Sequence, residues 1–569
     1  MAINANTVWE VRPTNGSDSN GGGFCVGLST TDISTSATLA IDASNNKKVT
    51  SSAHNFVSGD VGKYIKVTAG TGWATGWYQI VSTASNAAIL DHSPSAAGNG
   101  SNGTYSLYSG IDYSQQNSAQ VAINNSTVTC TTTGANSNTL TFTAGYTPSA
   151  ADVGNIVQLT GGTNINSGFY QITAQTSTTW TLSGATNATT AGGPGSAVTG
   201  DMGGALKSIT KPAVPTSAGN KVFVKAESTI QTASSLTLPG SGSITPSHST
   251  PYLRFIGYSS TRGDGGRVTI QLITNTGLTA LTQGVSGTSI ENFIIDCNSL
   301  GTSQGISFTA NHCRTLNCLV KNFTKNGIIS TGSAIVEQCE VTAGTSAATA
   351  AINLNGGSAQ LALNNYVHDN ACPGITSAGT NAILFNIVDN NSGSTSDGIL
   401  ISGIYSNIIL FNTVNRSGRH NINLNSTGYE TTLIKNNILA AAGGSTGTNA
   451  GTAYGLQSSA AALPADTHYD GNAYYNNLTA NRNNMDDGTT NAVNGIMPYV
   501  NSLDVALSAS PFTNVAGQDY SLNATSGGGA SARYAGAPAS WPGASTSGYA
   551  DMGAAQSKVI NATVGYTAS

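Results

Sequence analysis

The chain has little charge: lysine, arginine, aspartate and glutamate make up 8% of its 569 residues, against roughly a quarter in an average globular protein. The net charge is −5 and no run of Lys or Arg occurs, which argues against nucleic acid as a partner. No stretch approaches the roughly 18 consecutive apolar residues of a membrane-spanning helix. The first residues also lack the charged start and apolar core of a secretion signal. We therefore expect a protein that is synthesised in a cytoplasm, has no signal peptide and is not inserted in a membrane.

Cysteine is also scarce: there are seven, and their odd number and spacing favour buried thiols over disulfides. No His/Cys cluster has the spacing of a metal site. The Gly-Gly-Gly stretches at 21–23 and 527–529 lack the lysine and the strand–helix context of a nucleotide-binding loop. The sequence therefore predicts no metal and no other cofactor. Glycine, by contrast, is abundant at 68 residues, and small polar side chains suit closely spaced turns.

A short apolar phrase with a polar or thiol residue at its centre recurs through the middle of the chain. An example is Leu363-Asn-Asn365-Tyr-Val367, and the phrases return every 21 to 26 residues. Their centres are Asn292, Cys318, Cys339, Asn365, Asn386, Asn412 and Asn436. A second series, out of phase with the first, consists of Ile306, Ile328, Ile352, Ile375, Ile399 and Ile422. Apolar and polar residues alternate within a phrase, which is the period of a strand, and so short a repeat must stack on its neighbours to bury its apolar face.

These two series predict an all-β fold, a right-handed parallel β-helix over residues 205–465 with two strands per repeat in constant register. We expect the asparagines to turn inward and to hydrogen-bond along the stack. Four glycines stand directly before isoleucines of the second series, where we expect corners with unusual dihedrals. They are Gly305, Gly327, Gly374 and Gly398.

The region before the β-helix contains a different, longer repeat. The segments 60–67 and 76–80 return 92 positions later as 152–159 and 168–172, with the same 16-residue interval between Asp and Gly. The sequence thus predicts two small β-barrel or β-sandwich modules, at 30–108 and 122–204, inserted near the N-terminus. We expect a strand or attachment arm at 1–29, a linker or capping helix at 109–121 and a β-rich cap at 466–569. The modules act either as spacers or in binding, for which Trp73, Trp77 and Tyr78 are the candidates because exposed aromatic rings stack on sugars.

Several phrases at the two ends of the chain resemble those of known β-helix proteins. The strand 222–226, Gly517-Gln-Asp-Tyr-Ser-Leu522 and Asp551-Met-Gly-Ala-Ala-Gln556 are similar to openings and endings in pectate-lyase-like proteins. With the start at 6–12, the Gly-rich 16–23, the inserted modules and the β-helix, the whole layout resembles bacteriophage virion proteins of the tailspike and tail-fibre kind. These motifs are architectural and none is catalytic.

The resemblance implies a homotrimer in a phage virion, attached to other tail or capsid proteins and contacting host-surface polysaccharide. Some members of this family bind glycan and others also cleave it. The expected function is therefore a virion structural protein that recognises host glycan. The alternatives are a polysaccharide depolymerase, either hydrolase or lyase, and a capsid-decorating head spike or fibre without enzymatic activity. Because function depends on the site, the fold does not choose among them.

Charged residues are concentrated between 368 and 420. Some lie three and four positions after the centres of the phrases, where strands end, and others lie just before isoleucines of the second series. For hydrolysis the candidate carboxylates are Asp369, Asp389 and Asp397, since one must be protonated and one ionised. For elimination or substrate binding the candidates are His368, Arg416, Arg419 and His420. The alternative is that these residues form surface ion pairs or cap the ends of the strands.

Overall fold

The structure is a computed structural model. It describes residues 3, 7–25, 33–61, 63–90, 93–94, 100–108, 118–148, 152–212, 219–240, 244–246, 251–274, 277–356, 359–403, 405–425, 432–443, 453–458, 467–483, 504–533, 535 and 552–554. The chain divides into two compact units. The first contains Met1–Ile230, Thr237–Thr269 and Gly284–Phe293, and the second contains Gln231–Leu236, Ile270–Gln283 and Ile294–Ser569.

The first unit begins with two short strands and a closed six-stranded barrel. The strands are β1 (Thr7–Val11), β2 (Gly23–Cys25), β3 (Ile33–Asp42), β4 (Asn45–Ser51), β5 (Tyr64–Thr71), β6 (Gly76–Ala84), β7 (Ala87–Leu90) and β8 (Ser101–Tyr108). The barrel order is β3-β4-β7-β6-β5-β8. At the 3₁₀ turn Ser58–Asp60, the Asp60 carboxylate accepts hydrogen bonds from the Val57 amide at 3.0 Å and from Lys63 Nζ at 3.0 Å, and it lies 2.8 Å from His54 Nε2. Asp60 thus anchors this turn.

A seven-stranded antiparallel sheet follows the barrel. Its strands are β9 (Val121–Ile123), β10 (Thr129–Thr132), β11 (Thr139–Ala144), β12 (Ile156–Thr163), β13 (Gly168–Gln175), β14 (Thr179–Gly184) and β15 (Ser196–Met202), in the order β10-β11-β14-β13-β12-β15-β9. Asp152 accepts hydrogen bonds from Tyr146 Oη at 2.6 Å and Trp180 Nε1 at 2.8 Å, so the repeated Asp is an anchor here too. The module boundaries drawn from the sequence stay predictions, and residues 109–117 of the predicted helix lie outside the described residues.

Parallel strands succeed the antiparallel sheet. They begin with β16 (Lys221–Lys225), β17 (Ile230–Thr232), β18 (Leu236–Thr237), β19 (Leu253–Tyr258), β20 (Val268–Leu272), β21 (Thr279–Gln283), β22 (Thr288–Glu291) and β23 (Phe293–Asp296). The N-terminal β1 pairs in parallel with β16, which pairs with β19, and β19 with β22. Trp9 Nε1 donates to Asn220 Oδ1 at 3.0 Å in the buried interior. Both modules therefore lie, in sequence, between two adjacent strands of one parallel sheet.

The second unit is a stack of coils, each of which contributes one strand to each of three parallel sheets. In chain order the strands are β24 (Gln304–Phe308), β25 (Cys313–Leu316), β26 (Leu319–Lys321), β27 (Asn326–Ser330), β28 (Ala334–Glu337), β29 (Glu340–Thr342), β30 (Ala350–Leu354), β31 (Gln360–Leu363), β32 (Tyr366–His368), β33 (Ile375–Ser377), β34 (Asn381–Leu384), β35 (Ile387–Asp389), β36 (Ile399–Ile401), β37 (Asn407–Leu410), β38 (Thr413–Asn415), β39 (Ile422–Leu424), β40 (Thr432–Lys435), β41 (Ile438–Ala440), β42 (Tyr454–Ser458), β43 (Thr467–Asp470), β44 (Ala473–Tyr475), β45 (Ala480–Asn483) and β46 (Val505–Ala506).

Sheet C takes β24 and every third strand after it to β45, sheet A takes β25 and every third strand to β43, and sheet B takes β26 and every third strand to β44, followed by β46. The predicted all-β, parallel β-helix fold is confirmed by these parallel sheets. The isoleucine series forms one in-register column of sheet C, in which each side chain is fully buried.

Each coil has three strands, not the two that the repeats indicated. The phrase 363–367 is not one strand: Asn364 has a φ of +54°, and this left-handed residue bends the chain from β31 to β32. Phe385 and Phe411 occupy the same corner with φ of +57° and +56°, and their rings stack with 4.9 Å between centroids. A polar alternation that continues across such a corner looks like a single strand in the sequence.

The glycines before the isoleucines were predicted to allow unusual backbone dihedrals, and this reason was wrong. The four glycines before the isoleucines do not have the expected left-handed dihedrals. Instead, a Cβ on Gly305 would lie 2.4 Å from both the Gly327 carbonyl oxygen and Val320 Cγ1, and a Cβ on Gly327 would lie 2.5 Å from the Ala351 carbonyl oxygen. Glycine is needed there because successive coils approach too closely for any side chain.

The inward asparagines form a continuous ladder of side-chain hydrogen bonds. Each amide oxygen accepts from the backbone and side-chain nitrogens of the previous asparagine, at 2.8 to 3.1 Å. This asparagine ladder consists of Asn365, Asn386, Asn412, Asn437 and Asn472. The predicted centres Asn292 and Asn436 are each one residue early, because both are left-handed corner residues, with φ of +62° and +58°. All seven cysteines are buried, and none forms a disulfide.

The chain ends with a hairpin and a short helix that cover part of sheet B. β47 (Phe512–Asn514) and β48 (Asp519–Leu522) pair antiparallel, and α1 (Gly529–Ala532) follows. Phe512, Tyr520, Leu522 and Met552 form one buried cluster with outward residues of sheet B, such as Tyr366. Within the described ranges, no helix is long and apolar enough to span a bilayer.

Candidate functional site

Four of the seven charged residues singled out in the sequence lie at two adjacent register positions, at the end of the sheet B strands. His368, Asp389 and Asn415 pair side by side on successive coils. The next residue of each coil is a left-handed corner, with φ of +53° at Asp369 and +51° at Arg416. The structure therefore brings His368, Asp369, Asp389 and Arg416 together, on one edge of sheet B.

His368 is held between two carboxylates and a tyrosine ring. Its Nδ1 lies 2.8 Å from Asp369 Oδ2 and its Nε2 lies 3.2 Å from Glu340 Oε1, while its ring stacks on Tyr366 with 4.0 Å between centroids. Burial lowers the pKa of His368, but the hydrogen bonds and charges of Asp369 and Glu340 outweigh it and raise this pKa to about 9. The imidazole is therefore a cation at neutral pH.

Asp369 and Glu340 are the exposed members of this group, with side chains 48% and 28% exposed, while His368 is 9% exposed. Asn390 Nδ2 donates to Asp369 Oδ1 at 2.5 Å. The hydrogen bond from His368 lowers the pKa of Asp369 despite partial burial, so this carboxylate is ionised. The result is a fixed cation with an accessible anion on each side. We call Glu340, His368 and Asp369 the charged triplet.

Asp389 is in a different environment, because its side chain is only 2% exposed. Arg416 binds it through Nε at 3.0 Å and through Nη2, and Asn415 Nδ2 donates at 2.8 Å. Burial, followed by the negative charge of Asp389, raises the pKa of Tyr520 far above its usual value, so the phenol stays protonated. Removing one partner of a buried ion pair costs about 3–5 kcal/mol. Asp389 and Arg416 thus have a structural role beneath the C-terminal hairpin.

Asp397, Arg419 and His420 form a second cluster at the entrance to sheet C. Asp397 is fully buried and accepts from Arg419 Nε at 2.8 Å, from Asn423 Nδ2 at 2.8 Å and from the His420 amide at 3.2 Å. Burial lowers the pKa of His420 to about 4, and its Nδ1 accepts from the Tyr454 amide at 3.1 Å. This cluster lies beside the strands of sheet C, whereas the charged triplet lies on sheet B.

The aromatic candidates in the barrel are placed differently from expectation. Trp73 is 8% exposed and Tyr78 is 1% exposed, both within the barrel core, and Tyr78 Oη donates to the Ala74 carbonyl at 2.7 Å. Neither ring is available to stack on a sugar, so the premise of exposed aromatics fails for these two residues. Trp77 lies on β6, and its side chain is outside the described part of the structure.

Sequence reasoning missed Glu340 and Tyr520. Glu340 does not lie three or four positions after the centre of a phrase, yet it occupies the same outward column as Tyr366, one strand earlier. Aligning the phrases residue by residue would have placed it next to His368. Tyr520 belongs to the returning C-terminal segment, and no repeat in the sequence indicates where that segment packs.

The charged triplet can bind hydroxyl groups better than it can transfer protons. A glycosidase needs a protonated carboxylic acid, and eliminative cleavage needs an unprotonated base. Asp369 is ionised but is a weak base because its pKa is lowered, and His368 is protonated but is a weak acid because its pKa is raised to about 9, whereas Asp389 and Asp397 are buried against arginines. Within the described ranges, no group of three or more His, Cys, Asp or Glu side chains is arranged to hold a metal ion.

No protein-family model and no curated protein matches this sequence. Among solved structures, the chain is similar to pectate lyase Pel9A, with 13% identity and a TM-score of 0.42 over 59% of this chain and 88% of the lyase. It is similar to the Dettilon tailspike protein (gp208), with 14% identity and a TM-score of 0.30 over 45% of this chain and 55% of the tailspike. An alginate lyase from Paenibacillus sp. str. FPU-7 has 10% identity and a TM-score of 0.30 over 49% of this chain and 95% of the lyase. At these scores the likeness assigns neither a family nor an activity to this chain.

Proposed function

We propose that this protein is a bacteriophage virion protein of the tailspike or tail-fibre kind that binds host-surface polysaccharide without cleaving it. The observation that carries the proposal is the charged triplet, in which a buried imidazolium fixes two accessible carboxylates on an otherwise charge-poor chain. Carboxylates accept hydrogen bonds strongly from hydroxyl groups, which are the main feature of a glycan surface.

Preorganisation supports binding at this place. Asp369 is held by His368 on one oxygen and by Asn390 on the other, and the ring of His368 is stacked on Tyr366. Little side-chain entropy remains to be lost when a ligand is bound. The C-terminal hairpin packs over the neighbouring coils of sheet B and leaves Asp369 and Glu340 at the edge of the covered area.

The protonation states favour an adhesive role over a depolymerase. Of the three predicted catalytic carboxylates, two are buried and bound by arginines, and the pKa of the third is lowered. His420 is neutral, but it is 3% exposed and its Nδ1 already accepts a hydrogen bond. The candidates thus lack a protonated carboxylic acid for a hydrolase, and the one accessible base for a lyase, Asp369, is weak because its pKa is lowered.

Sheet A supports the proposed homotrimer. Its outward positions carry only apolar side chains on three successive coils, which are Leu361, Leu363, Ala382, Leu384, Ile408 and Leu410. Ile408 is 44% exposed. A contiguous apolar strip of this kind is typical of a protein interface. We propose that two further copies of this chain cover it in the virion, where other tail or capsid proteins hold the assembly.

Binding of full-length protein to surface polysaccharides purified from candidate host bacteria tests the proposal. Glu340→Gln and Asp369→Asn preserve shape and hydrogen bonding to His368 but remove charge, and we expect each to weaken retention about tenfold, or 1.4 kcal/mol. Asp42→Asn, which alters the ion pair with Lys48 in the barrel, is the matched control and should bind normally. Retention that is equal in all three variants, or absent in the wild type, overturns the proposed site.

A further inference from the structure

The second module has a groove on its surface, next to the turn between β13 and β14. It measures about 460 Å³ and is lined by Phe142, Gly145, Tyr146, Thr147, Ser177 and Thr178, among others. This volume falls in the range of about 300–1,000 Å³ that is usual for small-molecule sites. Among the residues that the structure describes, none of those lining it is charged.

The aromatic side of the groove is rigid. Tyr146 is half-buried, its hydroxyl donates to Asp152 at 2.6 Å, and its ring meets Phe142 and Trp180 edge-on, at 5.3 and 5.6 Å between centroids. Trp180 also donates to Asp152, at 2.8 Å. One buried carboxylate therefore fixes both rings, so that a ligand meets a preformed surface.

The polar side of the groove is a turn held by its own side chain. Thr176 Oγ1 accepts from the amides of Thr178 and Thr179, at 3.3 and 3.1 Å. The hydroxyls of Thr147, Ser177 and Thr178 are exposed and have no hydrogen-bond partner among the residues that the structure describes. Three uncommitted hydroxyls thus surround a fixed aromatic ring.

The first module has the same framework with different residues at two of these positions. Asp60 takes the place of Asp152 and His54 that of Tyr146, six residues before the carboxylate in each copy. Ala88 takes the place of Trp180, because Ala88 pairs with Thr83 in the first module as Trp180 pairs with Gln175 in the second. The same framework is thus built in the first module with histidine and alanine at these two positions, so tyrosine and tryptophan are not a general requirement of it.

We propose that this groove of the second module is a binding site for a neutral saccharide. Hydroxyl donors and acceptors next to an aromatic ring match the alternating polar edges and apolar faces of a sugar ring, and the absence of charge favours an uncharged ligand. The site is independent of the charged triplet on the β-helix, and it gives the chain a second point of contact with glycan.

The test is a titration of the full-length protein with cellohexaose, maltohexaose and chitohexaose, observed by saturation-transfer NMR. We expect at least one of them to bind, and we expect Ser177→Arg, which fills the groove, to weaken binding about tenfold or more. Thr178→Ala should weaken it without adding bulk. Ser85→Arg, at the equivalent exposed turn of the barrel, is the matched control and should bind as the wild type does.

Two results overturn the inference. One is that none of the three neutral hexasaccharides binds at millimolar concentration, and the other is that Ser177→Arg and Ser85→Arg bind equally well. Loss of binding in Glu340→Gln and Asp369→Asn, with no change in Ser177→Arg, assigns the saccharide to the β-helix instead. The proposed function and this inference can therefore fail separately.

Discussion

Replacing Asp504 by Asn is expected to stabilise the β-helix above about pH 6. Asp504 is the next residue after Asn472 in the asparagine ladder. Its Oδ1 accepts from the backbone amide of Asn472 at 2.8 Å, and its Oδ2 accepts from Tyr474 Oη at 3.2 Å. Its side chain is 9% exposed, and the guanidinium of Arg482 is 3.9 Å away. A carboxylate thus stands where every earlier coil of the ladder has an amide.

The magnitude follows from the pKa of this group. Burial, only partly offset by hydrogen bonds and Arg482, raises the pKa of Asp504 from 3.8 to about 6. An acid whose folded-state pKa is raised destabilises the fold progressively as the pH rises from 3.8 to about 6, and the full penalty applies above that value. Two pKa units correspond to roughly 3 kcal/mol, since each unit is worth 1.36 kcal/mol.

An asparagine at this position also continues the existing pattern. The Nδ2 of Asn437 donates to the Ile409 carbonyl and that of Asn472 to the Ile434 carbonyl, each at 3.0 Å. Tyr469 pairs with Ile434 in sheet A, so its carbonyl is the next in this column. The new amide therefore has an acceptor for one hydrogen and can donate the other to Tyr474 Oη, whose own hydroxyl loses the Oδ2 acceptor at a cost of about 1 kcal/mol.

Urea unfolding of the wild type and Asp504→Asn at pH 4 and pH 8 measures the effect. We expect the variant to be more stable by about 2–3 kcal/mol at pH 8 and nearly equal to the wild type at pH 4, where the carboxyl is protonated. Asp519→Asn, on the exposed face of β48, is the control and should change stability by less than about 0.5 kcal/mol. A difference that is the same at both pH values, or a less stable variant at pH 8, refutes the reasoning.

Three further predictions concern the ladder, the charged triplet and sheet A. Asn386→Ala removes five hydrogen bonds of a buried side chain and should cost about 3 kcal/mol or more in urea unfolding. The protonated His368 should contribute about 1–2 kcal/mol to stability, a value discounted because its partners are partly exposed. The wild type has this contribution in full below pH 6.5 and loses it as the pH rises through about 9. His368→Gln should lack it, so unfolding at pH 6 and pH 10 should show a difference between the two proteins at pH 6 that disappears at pH 10. Ile408→Asp should leave the circular dichroism spectrum unchanged but shift the mass in light scattering from trimer to monomer, whereas a trimeric variant contradicts the assignment of sheet A to the interface.

The repeats were enough to predict the β-helix, because burial of an apolar face at one register leaves a periodic trace. The isoleucine column was located residue by residue in this way. The third strand of each coil was missed because a left-handed residue such as Asn364 keeps the polar–apolar alternation while it turns the chain. The same effect displaced the ladder by one residue at Asn436, where two asparagines follow each other.

The sequence predicted which residues of the candidate site lie side by side on the β-helix, but not how buried each of them is or which partners it has. The sequence placed His368, Asp369 and Asp389 on neighbouring coils, and the strand pairing agrees. Whether each is exposed depends on the C-terminal hairpin and on Arg416, whose packing has no periodic signal. For the same reason the burial of Trp73 was not predicted: the ring packs against Gly103, a contact that a search for exposed aromatics does not reveal.

The central claim is that the chain holds host glycan without breaking it, and one incubation tests both parts. Full-length protein is mixed with surface polysaccharide from candidate hosts, and retention, polysaccharide chain length, reducing ends and unsaturated uronate are followed together. The account predicts retention with unchanged chain length and no new reducing ends or uronate absorbance. Shortened polysaccharide would contradict it, because an effective acid or base would then exist, whereas the shifted pKa values make Asp369 a weak base and His368 a weak acid.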